Sequence, residues 1–153
     1  MTASTEVLIG DLDAQHVLIR PLFRSHPDLF EVKDGNWIDC ELQIAAGGFR
    51  GGFRANLRSE EFQSFSEEME DLSRTLEGTA TFSSMDGQIA FSLIGDGKGG
   101  VRVTGEAIDT TGNGNRLQFA FGIDQSHVAP IGQSLHDLLV AFPVTGVPDA
   151  EQT

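Results

Sequence analysis

Four histidines, one cysteine and twenty-three carboxylates are the residues of this chain that could ligate a metal, attack a carbonyl or move a proton. A zinc site on a helix needs its ligands on one face, as at i and i+4. His127 and His136 are nine residues apart, about 900° around a helix, so they face opposite sides. His16 and His26 have no Cys or second His beside them. Nucleophilic catalysis needs Cys40 or a serine beside a base. Cys40 alternates with Ile38 and Leu42 and so reads as a buried, inert thiol. Asp39 and Glu41 fall on the opposite, outward face beside basic neighbours, and Asp124 is expected to pair with Arg102. These carboxylates read as surface ion pairs rather than an acid–base pair.

Gly95-Asp96-Gly97-Lys98-Gly99-Gly100 has phosphate-loop composition but not its spacing. A P-loop needs four residues between its first Gly and Gly-Lys, then Ser or Thr and a helix start. Here Gly100 follows and a strand pattern begins, so a tight turn is expected, with Lys98 at its tip. The same turn lacks the spaced oxygen ligands of a calcium loop. Gly112-Asn113-Gly114-Asn115 reads as a turn as well. No catalytic residue, metal site or cofactor is expected.

The elements that must position these residues follow from hydrophobic periodicity. Strands are expected at 6–9 and 16–22, with a loop over 25–36 around Pro27 and Asp34-Gly35-Asn36. Ile38, Cys40, Leu42 and Ile44 alternate with polar residues, as do Phe53, Ala55 and Leu57. Closing that hairpin on Phe49-Arg50 sets Leu42 against Leu57, Ile44 against Ala55 and Glu41 against Arg58, although a glycine-rich turn tolerates other registers. Ser59 is expected to cap a helix over 60–77 whose apolar stripe is Phe62, Phe65, Met69, Leu72 and Leu76, with Gly78 ending it. Asp86-Gly87 closes the next hairpin, with Phe82 opposite Phe91 and Ala80 opposite Leu93. Strands over 101–108 and 117–123 follow, with Val103 against Ile123, Ala107 against Phe119 and Arg102 against Asp124. Ser126 could cap a last helix over 127–142 with stripe Val128, Ile131, Leu135, Leu138 and Phe142. Pro130 falls in its first turn and Pro143 ends it. The expected fold is α+β: a curved antiparallel meander sheet with two amphipathic helices packed on one face. It forms a single domain over 1–142 with a flexible tail over 143–153.

Composition narrows function further. The chain has 153 residues, a formal net charge of −13 and a sequence pI near 4.4. That charge argues against nucleic acid and against an anionic membrane surface, and permits a basic protein partner. A single Cys fits a reducing compartment, and 1–15 lacks the basic and apolar regions of a signal peptide. The run 138–147 is interrupted by Pro143 and too short to span a bilayer. The expectation is a cytoplasmic protein.

Two features could face a partner. Seven acids and one base lie between Ser59 and Glu77, and the apolar stripe turns Glu60, Glu67 and Asp71 away from the core. Such a face is either ordinary solvated surface or a dock for a basic partner. Trp37 lies on the strand face opposite Leu42 and Ile44. It is a binding anchor if exposed, and ordinary structure if the N-terminal strands or loop cover it.

The turns carry a resemblance. Asp34-Gly35-Asn36-Trp37, Ala46-Gly47-Gly48-Phe49, the stretch 57–65, Gly95-Asp96-Gly97-Lys98-Gly99, Gly105-Glu106-Ala107, Gly112 to Asn115 with Leu117, and Asp124-Gln125 occur in this order. Over about 34–142 the chain resembles the WapI-type immunity proteins, small bacterial proteins paired with wall-associated polymorphic toxins. The resemblance implies a cytoplasmic antitoxin that binds and neutralises a toxin domain, and it carries no functional residues with it. A basic, nuclease-like toxin fits the charge. The alternatives are a small enzyme or ligand-binding α+β domain with a pocket between sheet and helices, and a structural domain with no toxin.

Overall fold

A computed structural model describes residues 5–28 and 35–145. The middle of the expected 25–36 loop and the end of the expected tail, 146–153, lie outside the described residues. Eight strands and two helices follow in the order β1 (Val7–Gly10), β2 (His16–Arg24), β3 (Trp37–Ala46), β4 (Phe49–Arg58), α1 (Ser59–Thr75), β5 (Glu77–Ser83), β6 (Ile89–Asp96), β7 (Gly100–Ile108), β8 (Arg116–Asp124) and α2 (Val128–Ala141). All strand pairs are antiparallel neighbours in sequence. The fold is α+β, and its strands divide between two four-stranded sheets, β1-β2-β3-β4 and β5-β6-β7-β8.

The division has a local cause. β4 runs directly into α1, so the chain leaves the first sheet as a helix of 17 residues rather than as a hairpin. Leu76 then adopts a left-handed conformation, φ 56°, and turns the chain into β5, which packs against α1 instead of pairing with β4. The helix therefore ends before the expected boundary, and Gly78 already lies within β5. The inner faces of both sheets and the stripes of both helices share one core. Phe62 and Phe65 of α1 meet Phe82 at 5.1 and 5.9 Å between ring centroids, and Phe82 stacks on Phe91 at 5.5 Å. Val128, Ile131, Leu135 and Leu138 of α2 are buried as the spacing predicts, and Phe142 is half-buried.

Registers separate the strong turn signal from the weak ones. Phe82 faces Phe91 and Ala80 faces Leu93, as Asp86-Gly87 dictates. The β3–β4 hairpin closes instead on Gly47-Gly48, where Gly47 has φ +60°. Leu42 accordingly faces Phe53, Ile44 faces Gly51 and Glu41 faces Arg54, a shift of four residues from the expected pairs. Val103 faces Phe121 and Ala107 faces Leu117, a shift of two. Arg102 lies opposite Gly122, so the expected pairing with Asp124 does not form. Both shifts are even, so every side chain keeps its face.

The ends of the helices also differ from expectation. The extended residue before α1 is Arg58, because its pairing with Trp37 holds it in the sheet. Ser59 is thus already helical and buried, and its N–H donates to the Asn36 carbonyl at 2.9 Å. Before α2, 125–127 form a 3-10 turn, capped by the Asp124 carboxylate accepting from Ser126 N–H at 3.4 Å. Beyond Pro143, Thr145 N–H and its hydroxyl both donate to Asn36 Oδ1, at 2.7 and 3.0 Å.

Candidate partner-binding surface

The seven acids of α1 and its exit sort into two groups once their partners are known. Glu61 Oε1 accepts from Arg58 N–H at 2.8 Å, filling one orphan donor at the helix start, and Oε2 accepts from Met85 N–H at 2.7 Å. Burial pushes the Glu61 carboxyl above its ordinary range, and these two N–H donors oppose that shift. Glu68 accepts from Thr81 N–H on β5 at 3.0 Å. Glu60 does not point out to solvent as the helical spacing suggests. Its side chain is 28% exposed and holds the Arg58 guanidinium at 2.5 Å. The second group faces water. Glu67, Glu70 and Asp71 are exposed, and Asp71 pairs with Arg74 one turn on. Such an exposed pair contributes little to stability.

Trp37 is half-buried on the outer face of β3, as its alternation predicts, and Arg58 packs against its ring. The guanidinium carbon stands 5.6 Å from the centroid of the ring, a cation–π distance. Arg58 Nη1 is also 4.0 Å from the Met85 sulfur in the β5–β6 turn. One arginine therefore joins Trp37, Glu60 and Met85. Of the four residues singled out in the sequence, Trp37 and Glu60 are brought together, while Glu67 and Asp71 lie farther along α1. Arg58 and Met85 were not singled out. The available signal was Met85 itself, a large apolar residue within a hairpin turn.

Other candidates take structural roles. Cys40 is fully buried, its thiol is pushed up by desolvation, and it sits 3.6 Å from the Ile38 carbonyl. Glu41 accepts from Arg20 at 2.7 Å, the surface pair expected of it, although the partner is on β2. Asp96 accepts from Lys98 and Gly100 N–H at 2.7 and 3.0 Å, which makes 95–100 a tight turn and holds this carboxyl below its ordinary range. Asp109 does the same for Asn115 at the next turn. Side chains of the shared core pack between the sheets and the helices. A groove of about 690 Å³ between α1 and α2 opens at the surface beside Asp71, Arg74, Gln133 and His136.

A surface built of acids and one aromatic–arginine–methionine cluster suits a protein partner better than a small molecule. A model of the immunity protein WapI-like family matches residues 7–143. The chain belongs to this family. The match begins with β1 and runs past α2, so it spans both sheets and both helices and adds the N-terminal strands to the stretch that carries the resemblance. Comparison with curated proteins gives no match to the chain. Membership of the WapI-like family points to immunity, a non-enzymatic role, and hence to a toxin protein as the partner. No helix among the described residues is long and apolar enough to cross a membrane.

Proposed function

We propose that this protein is the antitoxin of a polymorphic toxin system: it binds a cognate toxin domain in the cytoplasm of the producing cell and blocks it without catalysing a reaction. The observation that carries this reading is membership of the WapI-like immunity family over nearly the whole chain. The partner we propose is a basic toxin domain. Glu67, Glu70 and Asp71 present carboxylates to solvent on α1, and the chain as a whole carries −13. A field of that sign accelerates the approach of a cationic surface and repels nucleic acid and anionic lipid. Asp71 and Glu67 serve this encounter, whereas Glu60 is committed to Arg58.

The test is co-expression with the toxin domain encoded beside this chain. Cells carrying both should grow, and cells carrying the toxin domain alone should not. With purified proteins, Glu67→Lys with Asp71→Lys should slow association several-fold at low salt and weaken its salt dependence, on the scale of electrostatic steering. Failure of rescue together with absence of binding defeats the reading. Rescue with unchanged association rates keeps the antitoxin and removes the acidic helix from its interface.

A further inference from the structure

The cluster around Arg58 extends over the outer face of the first sheet. Trp37 pairs with Arg58, Asp39 with Asn56, and Phe23 with Asp39, so all five share the face turned away from the core. A bulge between Pro21 and Phe23 sets this register. It keeps Pro21 buried opposite Cys40 while Phe23 emerges on the other side. Phe23 is 52% exposed and Met85 67%. The Met85 backbone is pinned to Glu61, so its exposure is built on a fixed turn. Phe49, Val140, Leu12 and Ile94 are exposed too, but on separate elements, and single apolar side chains at a surface are ordinary. Trp37 and Met85 instead meet one arginine, and Phe23 lies on the same sheet face, diagonal to Trp37 across β2 and β3. Trp, Phe, Met and Arg are the residue types enriched at the centres of protein interfaces.

The rim fixes the partner's chemistry. Glu60 neutralises Arg58, and Asp39 and Asp86 border the patch, Asp86 exposed beside Met85 and Arg54 lining the same hollow as the two aspartates. An apolar centre whose rim keeps a net negative charge complements an apolar side chain flanked by lysine or arginine. We infer that Phe23, Trp37, Arg58 and Met85 form the anchoring centre of the toxin interface, receiving an apolar side chain of a basic toxin domain. This inference rests on the antitoxin reading above and deepens it. The outer face of α1 steers the encounter, and this patch holds the complex.

The probe is the purified toxin domain encoded beside this chain. Phe23→Ser with Met85→Ser should weaken binding roughly thirty-fold or more, the scale of anchor residues. The loss should appear as faster dissociation, with the association rate and its salt dependence nearly unchanged. Both side chains are more than half exposed, so the fold should persist, as circular dichroism and the thermal midpoint can verify. Hydrogen exchange of the wild-type complex supplies a second measurement free of mutation. Residues 37–41 and 83–88 should gain protection when the toxin domain binds. Affinity within about threefold of wild type, or protection confined to other segments, overturns the inference and leaves the antitoxin reading standing. A wild type that neither binds nor rescues overturns both. A dimer of the protein alone that Met85→Ser dissociates gives the patch to a second copy and also overturns the inference.

Discussion

The first turn of α1 and its outer face carry the same residue type to opposite ends. At the first turn Glu60 and Glu61 are half-buried and each is bonded to a named group, Arg58, or Arg58 and Met85. On the outer face Glu67, Glu70 and Asp71 stand in water, with one exposed ion pair among them. The first set joins three elements: the end of β4, the helix start and the β5–β6 turn. The second joins none. A carboxylate's contribution thus depends on what it accepts from, not on its place in an acidic run. Substitutions should separate the two sets cleanly.

The largest effect should come from the core beneath both. Phe65→Ala removes a ring that meets Phe82 and Phe91 edge-on at 5.9 and 5.5 Å. Unfolding by denaturant should show a loss of about 3–5 kcal/mol, the range for buried aromatic truncations. Next comes Glu61→Ala. It strips the acceptor from two backbone N–H groups at once, and a loss of about 1–2 kcal/mol is expected. A cost no larger than that of Glu67→Ala would erase the contrast between the two sets. Cys40→Ala should lose about 1 kcal/mol with binding retained, because the thiol serves only as a small buried apolar group. Rapid labelling of native Cys40 by a thiol reagent would contradict that. The outer-face pair Glu67→Lys with Asp71→Lys should change stability by no more than about 0.5 kcal/mol, as is usual for surface substitutions, while altering association.

Acid titration gives the smallest and sharpest test. Asp96, Asp109 and Asp124 sit below their ordinary range, each chiefly through hydrogen bonds from a neighbouring turn residue. Their stabilisation is present above the unfolded carboxylate value, near about 4, and is lost as pH falls through their lower folded values. Glu61 has the opposite sign. Its folded value is raised, so it contributes most when protonated, and stability falls as pH rises through the unfolded and then the folded value. Glu61 therefore offsets part of the acid loss. In Glu61→Gln the thermal midpoint should drop more steeply between about pH 5 and 3 than in wild type. Equal slopes would mean that the Glu61 carboxyl is not perturbed.

The same contrast between local and long-range causes governs what could be read in advance. Asp86-Gly87 set its register correctly because Asp-Gly strongly favours one tight turn between alternating runs. Gly47 to Gly52 misled by four residues, since four glycines allow several closures and the sequence penalises none of them. Alternation still placed Cys40 inside and Trp37 outside, because an even slip preserves the face. The acidic stripe was visible, but which acids are occupied was not. Glu60 is turned by Arg58, which belongs to the preceding strand, and Glu68 by Thr81 thirteen residues on. Met85 and Phe23 gave only the weak sign of apolar residues beside a turn or a strand end.

By itself, the sequence determined the helical stripes, the strand alternation, the Asp-Gly hairpin, the buried cysteine and a net charge of −13. All of these follow from period, turn chemistry or composition within a few residues. Tertiary structure alone decided that the strands divide into two sheets, that Arg58 stacks on Trp37 and reaches Met85, and that Phe23 emerges on the same face as Trp37. Those outcomes depend on the left-handed turn at Leu76, on a bulge at the end of β2, and on contacts between residues up to 27 positions apart. Pairings at that separation are set by the packing of whole elements, so no local pattern in the chain encodes them.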